Sequence, residues 1–266
     1  MIPSTELEER IFESFGRCVF CKNEFPPEYL TDEHIVPKAL SGDRQMILKG
    51  GSCRCCNNFA NENYEQAALK ANFLIPRILL ELKRRSGKNR PPPQLPKVAL
   101  GDRTMSGDVD EFNIALEAAR FPPQWSIVAP EPAGLLRGVA ATGDLKNFRI
   151  GILNLKLPRE ETAGFTVREP NDHTSFGLTI CKMAFCYAIA RKGLDRLDAS
   201  DLRELLQFKR DDLYNFFGEV MPGENLHSPY LHRFHFRRRA SYTTVIVHLL
   251  ASFGGPAYEV VVGREA

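Results

Sequence analysis

The segment that decides the fold of this chain runs from CVFC at residues 18–21 to CRCCN at residues 53–57. With two intervening residues, the two cysteines of each pair can bind one metal ion from a tight turn. The two pairs are separated by 31 residues. Four thiolates complete the tetrahedral coordination of a structural zinc ion. The spacing therefore predicts a zinc site whose ligands are Cys18, Cys21, Cys53 and Cys56, with Cys55 as the alternative beside them.

The bulk composition is that of an ordinary globular protein, with 43% hydrophobic and 26% charged residues among 266. A formal net charge of +2 is too small to indicate a nucleic-acid partner by itself. No stretch approaches the roughly 20 apolar residues of a membrane helix. The first residues lack the basic start and apolar run of a secretion signal, and paired cysteines in that setting favour metal binding over disulfides. We therefore expect a cytoplasmic protein without a membrane partner.

Apolar periodicity predicts an α+β chain whose elements change character along its length. Ser4 or Thr5 is expected to cap a first helix that ends at Gly16. The predicted elements that follow are a strand over 29–36, a strand over 45–49 that Gly50 and Gly51 terminate, a helix over 56–70 and a helix over 72–85. The order strand, strand, helix is short and local, as in a small metal-stapled module.

A polar stretch rich in Gly and Pro, SGKNRPPP, marks the clearest boundary of the chain. We expect residues 86–94 to form a linker between a module over 1–85 and a second, mixed α/β domain over 95–266. The elements predicted for the second domain are strands over 125–129 and 148–155, helices over 174–191 and 200–208, and a hairpin from strands over 242–250 and 258–262.

The residues suited to chemistry lie between the cysteine pairs, in TDEHIVPKAL at residues 31–40. An imidazole with a pKa near 6.5 suits the activation of a water molecule, which makes His34 a candidate general base. Carboxylate and amide oxygens suit a hard divalent cation, and Glu33 and Asn57 are placed to supply them. A strand shifted by one residue would exchange Glu33 for Asp32, and Asn58 competes with Asn57.

This pattern resembles the HNH (His-Me finger) endonuclease family over about residues 17–65, in the branch whose zinc is held by two C-x-x-C pairs. The resemblance implies a ββα-metal fold in which zinc is structural, Glu33 and Asn57 hold a catalytic Mg²⁺ or Mn²⁺, and His34 is the base. It implies a metal-dependent endonuclease that cleaves phosphodiester bonds, with DNA favoured over RNA. Many members carry an Asn shortly before the third Cys; Leu48 stands there, and Gln45 or Ser41 is the candidate to orient the loop instead.

Nucleic acid is the expected partner, and the basic side chains closest in sequence to the proposed ion are Lys38, Lys49 and Arg54. Near the carboxyl terminus, residues 231–239 alternate aromatic and basic side chains. That pattern fits either a surface for single-stranded nucleic acid or an edge strand protected by charge, and we assign neither His232 nor His235 to a metal.

Two other functions fit parts of the same pattern. One is a non-catalytic zinc module that binds nucleic acid or protein. The other is a nuclease subunit of a restriction or phage-defence system whose activity depends on a partner that acts on the second domain. That domain could bind a protein partner or form a homo-oligomer. The adjacent Glu33 and His34, together with Asn57, favour the catalytic interpretation, because a binding module has no need of a base beside an ion site.

Overall fold

The computed structural model describes residues 3–82, 93–100, 114–141, 145, 147–155, 165–167, 170–220 and 228–265. It contains both helices and strands, as the predicted α+β class requires. Of the predicted linker over 86–94, only the last two residues lie within the described part of the chain. No helix in these ranges has the length and apolar character of a membrane span.

A small three-stranded sheet forms the amino-terminal part of the fold. Its strands are β1 (Arg10–Phe12), β2 (Leu30–His34) and β3 (Met46–Cys53), in the order β1-β3-β2. β2 runs antiparallel to β3, which confirms the predicted strand that carries Glu33 and His34. β1 runs parallel to β3 and pairs Ile11 with Ile47.

The helix predicted between Ser4 and Gly16 is wrong, because residues 10–12 form β1 instead. The free edge of β3 offers backbone partners to this segment, and the N–H of Arg10 donates to the carbonyl of Gln45 at 3.1 Å. Farther upstream, the carbonyl of Glu6 accepts a hydrogen bond from Leu231, near the other end of the chain. Tertiary pairing has therefore overridden a weak local preference for a helix.

The prediction that Gly50 and Gly51 terminate the second strand is also wrong, since β3 passes through both residues to Cys53. The pairing with β2 is irregular between Thr31 and Glu33. Gly50 takes a positive φ of 52°, and the N–H of Gly50 donates to Oδ1 of Asp32 at 3.0 Å. The glycines thus allow a bulge within the strand rather than ending it.

A helical segment follows β3 directly and packs across the sheet. It consists of α1 (Arg54–Ala60), a π-helical turn (Asn61–Glu65) and α2 (Gln66–Lys70). The predicted helix over 56–70 is confirmed and begins two residues earlier than expected. Its continuation over 72–85 is shorter than expected, since α3 spans Leu74–Leu79.

The carboxy-terminal part surrounds one long helix, α5 (His173–Lys192), which is buried on nearly every side. Asp172 caps this helix by accepting a hydrogen bond from the N–H of Ser175 at 2.9 Å. The other helices are α4 (Gly134–Arg137), α6 (Ser200–Leu206) and α7 (Leu213–Phe216). The strands are β4 (Val98–Leu100), β5 (Gln124–Pro130), β6 (Phe148–Asn154), β7 (Phe165–Val167), β8 (Leu197–Asp198), β9 (Phe217–Glu219), β10 (Arg233–Arg239), β11 (Tyr242–His248) and β12 (Ala257–Glu265).

The last three strands, together with β8 and β9, form the five-stranded main sheet of this part, in the order β10-β11-β12-β8, with β9 also pairing with β12. β11 and β12 are antiparallel, which confirms the predicted hairpin. β10 lies at the edge of the sheet, and Arg237 and Arg239 approach the carboxylate of Glu259. The edge-strand interpretation of residues 231–239 is therefore supported, while a nucleic-acid role for them stays a prediction.

One hydrophobic cluster includes side chains from both sides of the predicted linker. The ring of Phe20, in the first cysteine turn, stacks on Phe185 of α5 with centroids 5.5 Å apart. The guanidinium of Arg203 donates to the carbonyl of Val19 at 3.1 Å. The described residues on the two sides of the predicted linker thus share a packed interface, and the division of the chain into two domains stays a prediction.

Candidate functional site

The four predicted zinc ligands converge on one point. Their sulfur atoms all lie within 4.8 Å of one another, close to the ~3.8 Å separation that a tetrahedral Zn–S distance of ~2.3 Å requires. Cys53 ends β3, Cys56 lies in the first turn of α1, and Cys55 is exposed outside the cluster. The four-cysteine cluster is compatible with structural zinc, and its geometry selects Cys53 and Cys56 over Cys55.

The first cysteine pair sits in a tight turn attached to the sheet. The N–H of Lys22, which has a φ of 62°, donates to the carbonyl of Cys18 at 2.8 Å. The N–H of Val19 donates to the carbonyl of Gly51 at 2.9 Å. These bonds place Cys18 and Cys21 against the carboxyl end of β3, so a metal held by all four sulfurs would fix the start of α1 beside β2 and β3.

His34 is the last residue of β2 and is half-buried. Its Nδ1 atom is buried and has no hydrogen-bond partner within the described part of the chain. Burial lowers the pKa of His34 below its usual 6.5, and the charges of Lys38 and Lys182 lower it further. The imidazole is therefore neutral at pH 7, which is the form that accepts a proton.

Glu33, the preceding residue, points into the interior and is 1% exposed. Its Oε1 atom forms an ion pair with the ammonium of Lys182 on α5. The same ammonium lies 2.8 Å from Oε1 of Glu65, in the π-helical turn. Asp32, the alternative carboxylate, is exposed and accepts the N–H of Gly50. Of the two neighbouring acids, only Glu33 faces the helices.

Asn57 lies over the paired strands β2 and β3. Its amide nitrogen donates to Oγ of Ser52 at 3.2 Å and to Oγ1 of Thr31 at 3.4 Å. This arrangement leaves the amide oxygen, which is the atom a cation requires, as its remaining polar atom. Asn58 is exposed, and the residue that caps α1 is Cys53. Asn57 is thus attached to the same strand that carries Glu33 and His34.

The cysteines form the sole group of three or more Cys, His, Asp and Glu side chains that could share a metal ion, as far as the described ranges extend. Within those ranges, no group of three such side chains includes Glu33 or His34. A divalent ion at Glu33 would instead use the buried Oε2 atom, for which the described residues offer no hydrogen-bond partner. Carboxylate and amide oxygens suit Mg²⁺ and Mn²⁺, so the donor chemistry of Glu33 and Asn57 fits such an ion.

Two residues of this site, Lys182 and Glu65, were missed by the sequence analysis. Lys182 is the one charged residue between His173 and Arg191, in a helix that is otherwise apolar or small. A Lys in the middle of a buried helix requires a buried anion, because an unpaired charge in the interior is strongly unfavourable. That signal was present in the sequence, but it does not identify which carboxylates are the partners.

The three basic side chains proposed for nucleic acid are all exposed. Lys38 opens the short turn after His34, Lys49 lies on β3 with its ammonium 3.9 Å from Glu13, and Arg54 begins α1. The hydroxyl of Ser41 donates to the carbonyl of Lys38 at 2.9 Å and closes that turn. Leu48, where many HNH sequences have Asn, is fully buried and pairs with Glu33 across the strands.

His232 performs a structural role. Its Nε2 atom lies 2.9 Å from the carbonyl of Leu40, and its Nδ1 atom accepts the N–H of Leu250 at 3.1 Å. The ring is buried and joins the turn after His34 to the end of the hairpin formed by β10 and β11. This placement agrees with leaving His232 out of the metal ligands.

Comparison with known proteins identifies one family. Residues 18–74, which are 57 of the 266 residues, match the model of the HNH endonuclease family. No curated protein and no solved structure matches the chain. The matched segment contains the four cysteines, Glu33, His34 and Asn57, and the match supports a nuclease or nucleic-acid-binding role in general. The family therefore matches one segment of the chain, residues 18–74, which is similar to an HNH endonuclease domain.

Proposed function

We propose that the chain is a metal-dependent endonuclease that hydrolyses phosphodiester bonds in nucleic acid, with DNA as the favoured substrate. The observation that carries the proposal is the placement of His34 at the end of β2, directly after the buried Glu33 and in the sheet whose strand β3 leads through Cys53 into α1. This arrangement lies within the segment that matches the HNH endonuclease family. It supports a base held beside a site for the scissile phosphate.

In this proposal His34 accepts the proton of the attacking water at its neutral imidazole. Glu33 and Asn57 would hold Mg²⁺ or Mn²⁺. That ion would supply positive charge to stabilise the phosphate and the leaving oxygen. Lys38, Lys49 and Arg54 neutralise neighbouring backbone phosphates. Zinc on the four cysteines would keep the start of α1 in place and would take no part in the reaction.

One observation favours a second candidate function. The carboxylate of Glu33 is already paired with Lys182, as a structural residue would be. A zinc module that binds nucleic acid without cleaving it would retain the fold and the basic surface, and it would have no need for a divalent ion. A subunit of a restriction or phage-defence system that is activated by a partner would share the chemistry and be silent when purified alone.

The test is incubation of the purified, zinc-loaded protein with supercoiled plasmid, with and without Mg²⁺. We expect nicked or linear product that depends on Mg²⁺, and a loss of at least roughly 10²-fold in His34→Ala, because a general base contributes about that much. His173→Ala, at a half-buried histidine in the first turn of α5, is the matched control and should retain activity. Cleavage that survives His34→Ala would refute the assigned base. Binding of plasmid without cleavage would favour the second candidate.

A further inference from the structure

Lys182 of α5 forms ion pairs with two residues of the amino-terminal part of the protein. Its side chain is 5% exposed, and its ammonium lies between the carboxylates of Glu33, 1% exposed, and Glu65, 11% exposed. The three groups come from β2, the π-helical turn and α5, so three separate elements meet at this point. The residues that follow Lys182 on its helix, through Ile189, are all buried.

The buried cluster of Glu33, Glu65 and Lys182 carries a net negative charge. Glu33 and Glu65 contribute two negative charges and Lys182 one positive charge, which leaves a net charge of −1. Two buried polar atoms beside this cluster lack hydrogen-bond partners within the described ranges, namely Oε2 of Glu33 and the hydroxyl of Tyr64. Both residues are 1% exposed, and the charges of Lys182, Glu65 and Glu33 all act on Tyr64. Buried oxygen atoms without hydrogen-bond partners, next to a net negative charge, favour the binding of an additional cation.

We propose that Lys182 is a resident counter-cation of the nuclease site, which neutralises Glu33 in the absence of a divalent ion and competes with that ion for its carboxylate. The proposal rests on the proposed function, because it takes Glu33 as a ligand of the ion. When the ion binds Glu33, Lys182 keeps Glu65 as its partner, and the ammonium remains paired.

The net charge of the cluster, counted with the ion and a phosphodiester bound, is consistent with this competition between Lys182 and the ion. A divalent ion changes the net charge of the cluster from −1 to +1, and the single negative charge of a phosphodiester then brings it to zero. Without the ion, the negatively charged cluster repels the substrate. With the ion bound, the positively charged cluster attracts the substrate. The two carboxylates therefore make the binding of substrate dependent on the ion, and Lys182 lowers the affinity for that ion through repulsion of like charges.

The experiment measures Mn²⁺ binding to the zinc-loaded full chain by electron paramagnetic resonance of the free ion. Lys182→Met removes the charge and keeps most of the side-chain volume, and we expect it to bind Mn²⁺ roughly tenfold tighter or more than wild type, since a competing unit charge is gone. Lys192→Met is the matched control, because Lys192 lies on the same helix and pairs with Glu265 at the surface. It should bind Mn²⁺ as wild type does. Adding Glu33→Gln to Lys182→Met should abolish the gain.

A second variant covers the case in which Lys182→Met fails to fold. Lys182→Met combined with Glu65→Gln removes one charge of each sign and keeps the net charge of the cluster at −1. This variant should also bind Mn²⁺ more tightly than wild type. An affinity equal to or weaker than that of wild type in the folded variants would overturn the proposal, and so would a gain that persists after Glu33→Gln.

The same proteins separate this proposal from the proposed function. Plasmid cleavage that requires His34, together with unchanged Mn²⁺ affinity in the Lys182 variants, overturns the role of Lys182 and leaves the nuclease assignment standing. Tighter Mn²⁺ binding without cleavage by any variant supports the role of Lys182 and contradicts the nuclease assignment.

Discussion

Single side chains define the two parts of the candidate site. The cysteine cluster uses four thiols that local turns bring together, and Cys55 lies outside it although it is adjacent to a ligand. The ionic part uses Glu33, whose partner Lys182 comes from a distant helix. Removal of one partner from a buried ion pair typically destabilises a protein by roughly 3–5 kcal/mol, so the position of Glu33 is firmly held.

Zinc content tests the cysteine assignment at this scale. We expect wild type to bind about one zinc per chain and Cys56→Ser to lose most of it, because a closed tetrahedral site requires all four ligands. Metal analysis of the purified protein measures the ratio of zinc to chain. Cys55→Ser is the control and should keep its zinc. A Cys56→Ser protein with unchanged zinc, or a Cys55→Ser protein without it, would contradict the assignment.

Among the secondary-structure elements, β3 determines the geometry of the site, since it pairs with both β1 and β2 and leads directly into α1. It passes two glycines on the way, and Gly51 lies against β2. A Cβ atom at Gly51 would lie 2.8 Å from Cβ of Glu33 and 2.9 Å from Cδ2 of Leu48, both closer than normal contact. The absence of a side chain at Gly51 thus makes room for the buried Glu33.

Substitution at Gly51 tests this close approach. Gly51→Ala should lower the free energy of unfolding by about 1–3 kcal/mol, the range seen when atoms are added to a packed interior. Gly151→Ala on β6 is the control, because a Cβ atom there meets nothing within 4 Å, and its effect should stay within about 0.5 kcal/mol. Urea unfolding of the two variants measures both values. Equal stability of the two variants would show that β2 and β3 have room for a methyl group.

Over the whole molecule, His232 joins the amino- and carboxy-terminal parts, because its ring bridges Leu40 and Leu250. Burial lowers the pKa of His232 from 6.5 to about 4; the hydrogen bond to Leu40 opposes this change, and the charge of His248 reinforces it. The folded protein therefore excludes a proton that the unfolded chain binds between these two values.

The stability of the protein should accordingly depend on the state of this ring. The contribution of neutral His232 is fully present above pH 6.5 and is lost as the pH falls from 6.5 toward 4. Between pH 7 and pH 5 the free energy of unfolding should decrease by roughly 2 kcal/mol from this group. Urea unfolding at pH 7 and pH 5 measures this decrease. In His232→Gln the decrease should be smaller than in wild type by about that amount. Identical decreases in both proteins would remove His232 as the cause.

Local sequence was sufficient for the features that depend on short spacings. The cysteine ligands, the strand that carries His34 and the helix that carries Asn57 follow from residues close together in the chain, where a few intervening positions restrict the geometry. The hairpin of β11 and β12 was predictable for the same reason.

The amino-acid sequence by itself determined a zinc-compatible HNH module and the residues that are candidates for its chemistry. Only the tertiary structure decided that residues 10–12 form a strand, that β3 continues through Gly50 and Gly51, and that Glu33 meets Lys182. These outcomes depend on partners far away in the chain: Glu65 and Lys182, for example, are 117 residues apart. An unpaired strand edge or a buried charge pairs with the partner that the folded core places beside it. No local sequence pattern specifies that partner.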